Sequence, residues 1–322
     1  MPLRYLIWDE AGKIVKEGDD RSTVATFPSP NNHFLWLDIE NHDKEEIEWL
    51  GTIFNFHYLA LEDCISLNQR SKLEEYDGYM FYVLHLSFLD SDGRIETQEL
   101  HIFLGGQFIV SVHNKPIEVV DSCLARCKGE SHTLEKGCDF IFYILSDTLV
   151  DTYFPLLDKI EDELDDLEDK VIANPTREFL TKIFLLKQDL VQLRKIVGPL
   201  REVFGLIYRR EYGLIKEKTY FYIRDVHDHL VRIHDMIDTY RDMLGNMLDV
   251  YLSTVSNNLS QVMKRLTLIA TIFMPLGFVV GFFGMNFEKI PFGSNILLFL
   301  ALIICLLLPS GMIFWFYRHK WF

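Results

Sequence analysis

Two runs without a charged residue, 266–287 and 290–317, limit what this chain can fold into. Each is long enough to cross a hydrocarbon layer as a helix, which takes about 20 apolar residues. The core of the second run is Ile296–Leu308, and only a short connector around Glu288–Asn295 separates it from the first. Two spans joined so closely must run antiparallel. Lys264 and Arg265 stand just before the first run, and Arg318, His319 and Lys320 just after the second, whereas the connector holds only Lys289, balanced by Glu288. Positive residues favour the cytoplasmic side, so both termini are expected inside and the connector outside. Two helices cannot enclose a water-filled path. Any conduction therefore needs several copies around one axis.

The sequence leading into the first run is helical in period. Apolar residues recur at Ile223, Val226, Leu230, Ile233, Ile237, Tyr240, Leu244, Met247 and Tyr251, alternating three and four apart as a heptad seam does. The seam continues through Val255, Leu259, Val262 and Leu266 with spacing that drifts towards four, which relaxes left-handed supercoiling. No proline interrupts 219–274. One helix is predicted from about Thr219 to about Gly284, on the order of 100 Å long at ~1.5 Å per residue. A second stripe shares it: Asp249, Ser253, Ser256, Ser260, Met263, Thr267, Ala270, Met274, Gly277, Gly281 and Gly284, with Asn286 at the outer end. This face is polar or small almost throughout. A plain anchor has no use for it, but a symmetric oligomer could line a pore with it. Bulky rings such as Met263 and Met274 would then be constrictions that gate by dewetting. The competing use, close helix packing through Gly277, Gly281 and Gly284, does not explain the polar run upstream.

Formal net charge is −15, nearly all of it before Arg265. Such a chain repels nucleic acid and draws cations. Met1–Glu10 lacks the basic start and apolar core of a signal peptide, which places the acidic part in the cytoplasm. There the five cysteines, none in a CxxC pair, are expected to stay reduced. The first 145 or so residues read as a mixed domain, with strands at Leu3–Trp8, His33–Asp38, Tyr79–Phe88, Glu96–Leu104 and Phe108–His113 and a helix at Lys44–Phe54. The acidic run Asp158–Asp169 is an amphipathic helix through Leu157, Ile160, Leu164, Leu167 and Val171, and a partner helix follows from Pro175 to about Ile196. No phosphate loop, zinc-protease His pair or nucleophile elbow is present, so neither an enzyme, a nucleotide nor an organic cofactor is expected. His227, His229 and His234 neighbour Asp225, and of these His229 shares its helix face. Cys123, Cys127 and His132 are ligands by type, with buried or surface thiols the plainer reading.

Gly284-Met285-Asn286, at the outer end of the first of two C-terminal spans, resembles the signature of the CorA family of Mg²⁺ transporters. The resemblance is densest from Tyr222-Ile223-Arg224-Asp225-Val226 through Asp249-Val250-Tyr251-Leu252-Ser253 and Ala270-Thr271-Ile272-Phe273-Met274-Pro275-Leu276 to Phe287, with further matches at Glu62-Asp63-Cys64, Asn68-Gln69-Arg70 and Pro199-Leu200-Arg201-Glu202. It implies an α+β chain with an N-terminal α/β/α cytoplasmic domain (1–145), a helical hairpin and stalk helix (146–265) and a membrane domain (266–322). The membrane domain would hold spans at 266–286 and 296–317, an outer loop at 287–295 and a basic cytoplasmic tail at 318–322. The assembly it implies is a funnel-shaped homopentamer, multi-pass in the cell (inner or plasma) membrane and bounded by lipid. Gly284, Met285 and Asn286 would form the filter, with further pore rings at Met274, Leu266 and Asp249. Intracellular Mg²⁺ bound between neighbouring subunits at Asp90 and Asp225 would close the channel. Departures from the family pattern are Gly277 where Thr is usual, Ser260 where Asn is usual, and Ile290-Pro291-Phe292-Gly293 where an acidic loop is usual.

The chemistry suits Mg²⁺ as substrate and regulator. This ion sheds water reluctantly and is often held through its hydration shell. A ring of Asn286 carboxamides could hydrogen-bond the hydrated ion without trapping it. Asp249 would draw it inwards, down its own gradient, and Co²⁺ or Ni²⁺ could follow. The alternatives are a Zn²⁺ transporter of the ZntB branch and a membrane-anchored metal sensor without flux.

Overall fold

The structure, a computed structural model, describes residues 3–27, 33–66, 68–90, 93–173, 175–209, 212–285 and 295–319. The chain divides into two compact units, Met1–Leu248 and Asp249–Phe322. The first is built on strands β1 (Leu3–Trp8), β2 (Ile14–Gly18), β3 (Phe34–Glu40), β4 (Lys72–Tyr76), β5 (Tyr79–Leu89), β6 (Ile95–Gly105) and β7 (Phe108–His113). Among the described residues these form one sheet in the order β2-β1-β3-β7-β6-β5-β4. Only β3 and β7 pair in parallel. Helices α1 (Arg21–Val24), α2 (Lys44–Phe54) and α3 (Tyr58–Ile65) supply one cover. Ile47, Leu50, Ala60 and Cys64 bury against Leu37, Phe81, Val83, Phe103 and Val112 of the sheet. Alternation along each strand sends Trp8, Trp36, Tyr82 and Ile102 to the opposite face. There lie α4 (Glu118–Gly129), α5 (Ser131–Leu134) and α6 (Cys138–Asp151), with Trp8 Nε1 donating to the Leu134 carbonyl at 2.9 Å. This is an α/β/α arrangement, as expected.

Local chemistry explains the boundaries. Asp43 and Glu46 make a reciprocal capping box that starts α2, and Asn55, at φ 56°, ends it in the left-handed region. The strands that pattern reading missed, β2 and β4, are the two edges. Their sequences, Ile-Val-Lys-Glu-Gly and Lys-Leu-Glu-Glu-Tyr, carry charges that discourage edge-to-edge association. These charges also blur the alternation by which strands are recognised.

Helix α7 (Tyr153–Ala173) and helix α8 (Arg177–Arg209) form the expected hairpin, with Leu157, Ile160, Leu164 and Leu167 buried. Helix α8 runs well past Ile196. Pro199 lies inside it, buried with Val197 and Leu200, so apolar contact outweighs the one hydrogen bond the ring removes.

Helix α9 spans Glu217–Phe283, within two residues of expectation at either end. Its start is fixed by Asp139, almost fully buried at the head of α6, whose Oδ2 accepts from Lys216 N at 3.0 Å and Thr219 Oγ1 at 2.6 Å. Ile223, Val226, Leu230, Ile233, Ile237, Tyr240, Leu244 and Met247 are all buried, as the seam requires. The seam does not stay buried beyond them in one chain: Tyr251 is half-buried, and Val255, Leu259, Val262 and Leu266 are exposed. Helix α10 (Asn295–Arg318) completes the second unit. Among the described residues, three helical stretches are long and apolar enough to cross a membrane. The apolar stretch within Cys138–Glu168 is 61% buried inside the protein and is a core element; those in α9 and α10 are 6% and 0% buried and have no such cover.

Candidate functional site

The stripe on α9 lies on one open face. Asp249, Ser253, Ser256, Ser260, Met263, Leu266, Thr267, Ala270, Met274, Gly277, Gly281, Gly284 and Met285 are all exposed in the single chain. The glycines are not small to admit a neighbour from the same chain, because a Cβ added at Gly277 or Gly281 would meet nothing within 4 Å. The hydroxyls along the apolar part are satisfied locally. Thr267 Oγ1 donates to the Met263 carbonyl at 2.8 Å, and Thr271 Oγ1 to that of Thr267 at 2.7 Å. Back-bonding of this kind lets a hydroxyl sit in an apolar helix at little cost. Helical bonding carries on just past α9, with Gly284 N donating to the Val280 carbonyl at 2.9 Å. Asn286, the expected selectivity residue, lies outside the described residues, as does Asp92 beside Asp90.

The two acids expected to hold a regulatory ion sit in different settings. Asp90 closes the β5–β6 hairpin, where its N–H donates to the Arg94 carbonyl at 2.9 Å and its carboxylate accepts from Arg94 N at 2.8 Å. Gly93 takes φ +75° to complete that turn. Asp225 is exposed on α9, one turn before His229. Here the structure adds a residue that sequence reading passed over. Asp147 of α6 comes to the same spot, so that ligand atoms of Asp147, Asp225 and His229 all lie within 4.8 Å of one another. Asp151, one turn along α6, places Oδ1 4.0 Å from His229 Nδ1. Burial, then the charges of Asp151 and Asp225, push the Asp147 carboxyl above its usual range. Burial and the adjoining Asp147 push the Tyr143 phenol up to about 12. Such a group is poised for a cation, which would relieve the repulsion that raises Asp147. The signal was present as Asp147 and Asp151 on one face of an otherwise apolar helix, but only the fold shows that this face meets α9.

The other ligand types resolve as structural. His227 stacks on Tyr208, and His234 sits 3.6 Å from Asp238. Cys123 and Cys127 are buried, and burial raises their thiols to about 11 and 12, so they stay protonated. His132 is exposed and pairs with Glu135 at 3.0 Å. All five cysteines are free.

A sequence profile of the family described as CorA-like Mg²⁺ transporter protein matches residues 31–318. The chain is 38% identical over 294 residues to a cobalt/magnesium transport protein CorA of Thermotoga maritima, a match covering 89% of this chain and 83% of that one. The fold matches the complete structure of the CorA magnesium transporter from Methanocaldococcus jannaschii with a TM-score of 0.84 at 23% identity, over 99% of this chain and 98% of that chain. It also resembles the ZntB cytoplasmic domain from Vibrio parahaemolyticus, with a TM-score of 0.66 at 14% identity over 80% of this chain and all of that one, a likeness of fold alone.

Proposed function

We propose, from the premise that this chain belongs to the family of CorA-like Mg²⁺ transporter proteins, that it passes Mg²⁺ passively through a pore lined by α9 in a ring of five copies. The observation that carries this reading is the open stripe from Asp249 to Met285, polar or small almost throughout and uncovered within its own chain. Within the span this face is small and its Thr267 hydroxyl is bonded locally, which lets copies approach closely, and below the span Asp249 and its serines call for water. A five-fold axis gives it both. Asn286 supplies the outer ring, which holds the ion through its water shell. Neutral carboxamides bind weakly enough for the ion to leave. Met274 and Leu266 form apolar constrictions, and Asp249 offers charge at the inner end.

Closure follows from the same ion acting on the acidic domain. Five subunits at −15 each repel one another. Mg²⁺ between Asp90 of one subunit and Asp225 of the next offsets that repulsion, with Asp147 adding charge beside Asp225. When internal Mg²⁺ falls, the subunits loosen and the pore opens, a two-state element biased by its own substrate. The chain sits in the cell membrane with both termini in the cytoplasm, and Co²⁺ and Ni²⁺ share the path. The imidazole of His229 beside Asp225 and Asp147 favours a second reading, in which Zn²⁺ is carried or sensed.

Flux into liposomes holding the purified protein, wild type beside Asn286→Ala, tests this. Mg²⁺ flux that Asn286→Ala abolishes or makes unselective is expected. Zn²⁺ flux without Mg²⁺ flux would move the chain to the second reading. No divalent flux from assembled protein at low internal Mg²⁺ would leave a sensor without transport.

A further inference from the structure

A second set of metal-ligating side chains lies on the sheet face covered by α2 and α3. His85 on β5 and Glu99 on β6 are register partners, and His101 follows two residues later on the same face. His85 Nε2 stands 3.7 Å from Glu99 Oε1, and His101 Nε2 stands 3.4 Å from Glu99 Oε2. The His101 side chain is only 2% exposed. Even so, neither of its ring nitrogens has a hydrogen-bond partner, and nor has Glu99 Oε2. The long His101–Glu99 ion pair and the stacking of His101 on Phe81 offset part of the cost of leaving such groups without hydrogen bonds. His85 is held from behind, its Nδ1 2.8 Å from Ser71 Oγ. Glu99 Oε1 accepts from Gln69 N at 2.9 Å. A cavity of about 500 Å³ opens onto all three side chains, bordered by the amides of Asn68, Gln98 and Asn114.

We infer that His85, Glu99 and His101 form a binding site for a borderline-soft divalent ion of the Zn²⁺, Co²⁺ or Ni²⁺ class, with water from the cavity completing its coordination. Two imidazoles and a carboxylate suit such ions, whereas Mg²⁺ prefers an all-oxygen shell. Two ligands at about 2.1 Å from one tetrahedral ion stand roughly 3.4 Å apart, which is the His101–Glu99 spacing. The His85–Glu99 spacing exceeds it by a few tenths of an ångström. The rings flank the carboxylate, so the three donors are not yet as close together as those of Asp147, Asp225 and His229. Rotation of Glu99 gathers them; Oε2 has no hydrogen bond to lose, while Oε1 gives up its bond from Gln69 N in exchange for the ion. The Ser71 hydroxyl fixes the His85 ring as outer partners of metal-bound imidazoles do. Of the basic residues lining the cavity, Arg70 is paired with Glu202 and Lys115 with Glu96, which leaves Lys195 with the Glu99 carboxylate in the same lining, a balance that does not make an anion site.

The test is Co²⁺ titration of the full-length protein in excess Mg²⁺, read by ligand-field absorption and by metal content after desalting. A single saturable Co²⁺ per chain, displaced by Zn²⁺ and retained in His229→Ala, is expected. Both His85→Ala and His101→Ala should abolish it, and Ser71→Ala should weaken it by about ten-fold or more. Ser71→Ala removes only an outer partner, so it stays informative where a histidine variant fails to assemble. Wild-type Co²⁺ binding in assembled His85→Ala or in Ser71→Ala would overturn the assignment. Loss of the signal in His229→Ala would overturn it too, and so would saturable binding of inorganic phosphate with no Co²⁺ bound.

Discussion

Replacing Asp225 with Asn should make the protein more stable without divalent ions and less responsive to them. Asp147 and Asp225 have ligand atoms within 4.8 Å. Two like charges at that distance repel by about 1 kcal/mol in a water-like medium and by about 3 kcal/mol at an effective dielectric near 20. Asp225 is exposed and Asp147 half-buried, so screening favours the lower figure. Asn at 225 keeps the shape and removes the repulsion. With metal chelated, its melting temperature should rise by about 2–4 °C, the shift that ~1 kcal/mol gives a domain of this size. Mg²⁺ at about a hundred times its dissociation constant adds about 2.7 kcal/mol to a protein that binds it only when folded. The variant should lose at least half of that increment. The assay is thermal unfolding of the detergent-solubilised chain in chelator and across a Mg²⁺ series, at pH 8 where ordinary imidazoles are neutral. A variant that melts lower than wild type in chelator would mean that Asp225 is held by a cation of the protein itself. An unchanged Mg²⁺ increment would mean that the ion binds elsewhere. Either result refutes the reasoning.

The start of α9 and its open stripe give two more expectations. Asp139→Ala strands the buried Thr219 hydroxyl and the Lys216 N–H; losing two bonds to a carboxylate should cost about 3 kcal/mol and lower the melting temperature by about 6–12 °C, while Asp139→Asn loses less. Gly281→Leu fills space that is open in the single chain. It should reduce Mg²⁺ flux at least ten-fold with the oligomer intact by size-exclusion chromatography, whereas dispersal of the oligomer would mean that this face packs and does not conduct.

The parts of the fold that were legible in the sequence are those in which one period dominates. The seam from Ile223 to Met247 is buried residue for residue, because a helix covered along one side repeats its contacts every three and four positions. Strands β1 and β7 were readable to the residue because both faces are apolar and their ends abrupt. Legibility failed where a residue answers to a neighbour distant in sequence. Charges on β2 and β4 protect edges, and an edge is defined only once the strand order exists. Asp147 meets Asp225 and His229 across two helices, and His85 meets Glu99 through a strand register, so neither grouping leaves a local pattern. The histidines of the sheet also lie in runs whose alternation reads as ordinary core.

The break in the α9 seam bears on assembly. Up to Met247 its apolar positions are covered by the chain's own helices. From Val255 onward the same spacing continues, yet among the described residues of this part of α9 only Leu268 is buried. A heptad-like period serves no purpose on a lone helix in lipid, where apolar residues need no seam and hydroxyls and small residues need no common face. Under the proposed function, the covering partner changes here from the chain itself to another copy. On the proposed function, the stripe of Ser253, Ser256, Ser260 and Gly277 is what those copies enclose. A two-fold contact would bury that stripe against itself and leave Asp249 facing Asp249 at close range. In the proposed ring of five copies the acids stand farther apart and water enters between them, which reconciles the charge at 249 with the small residues above it.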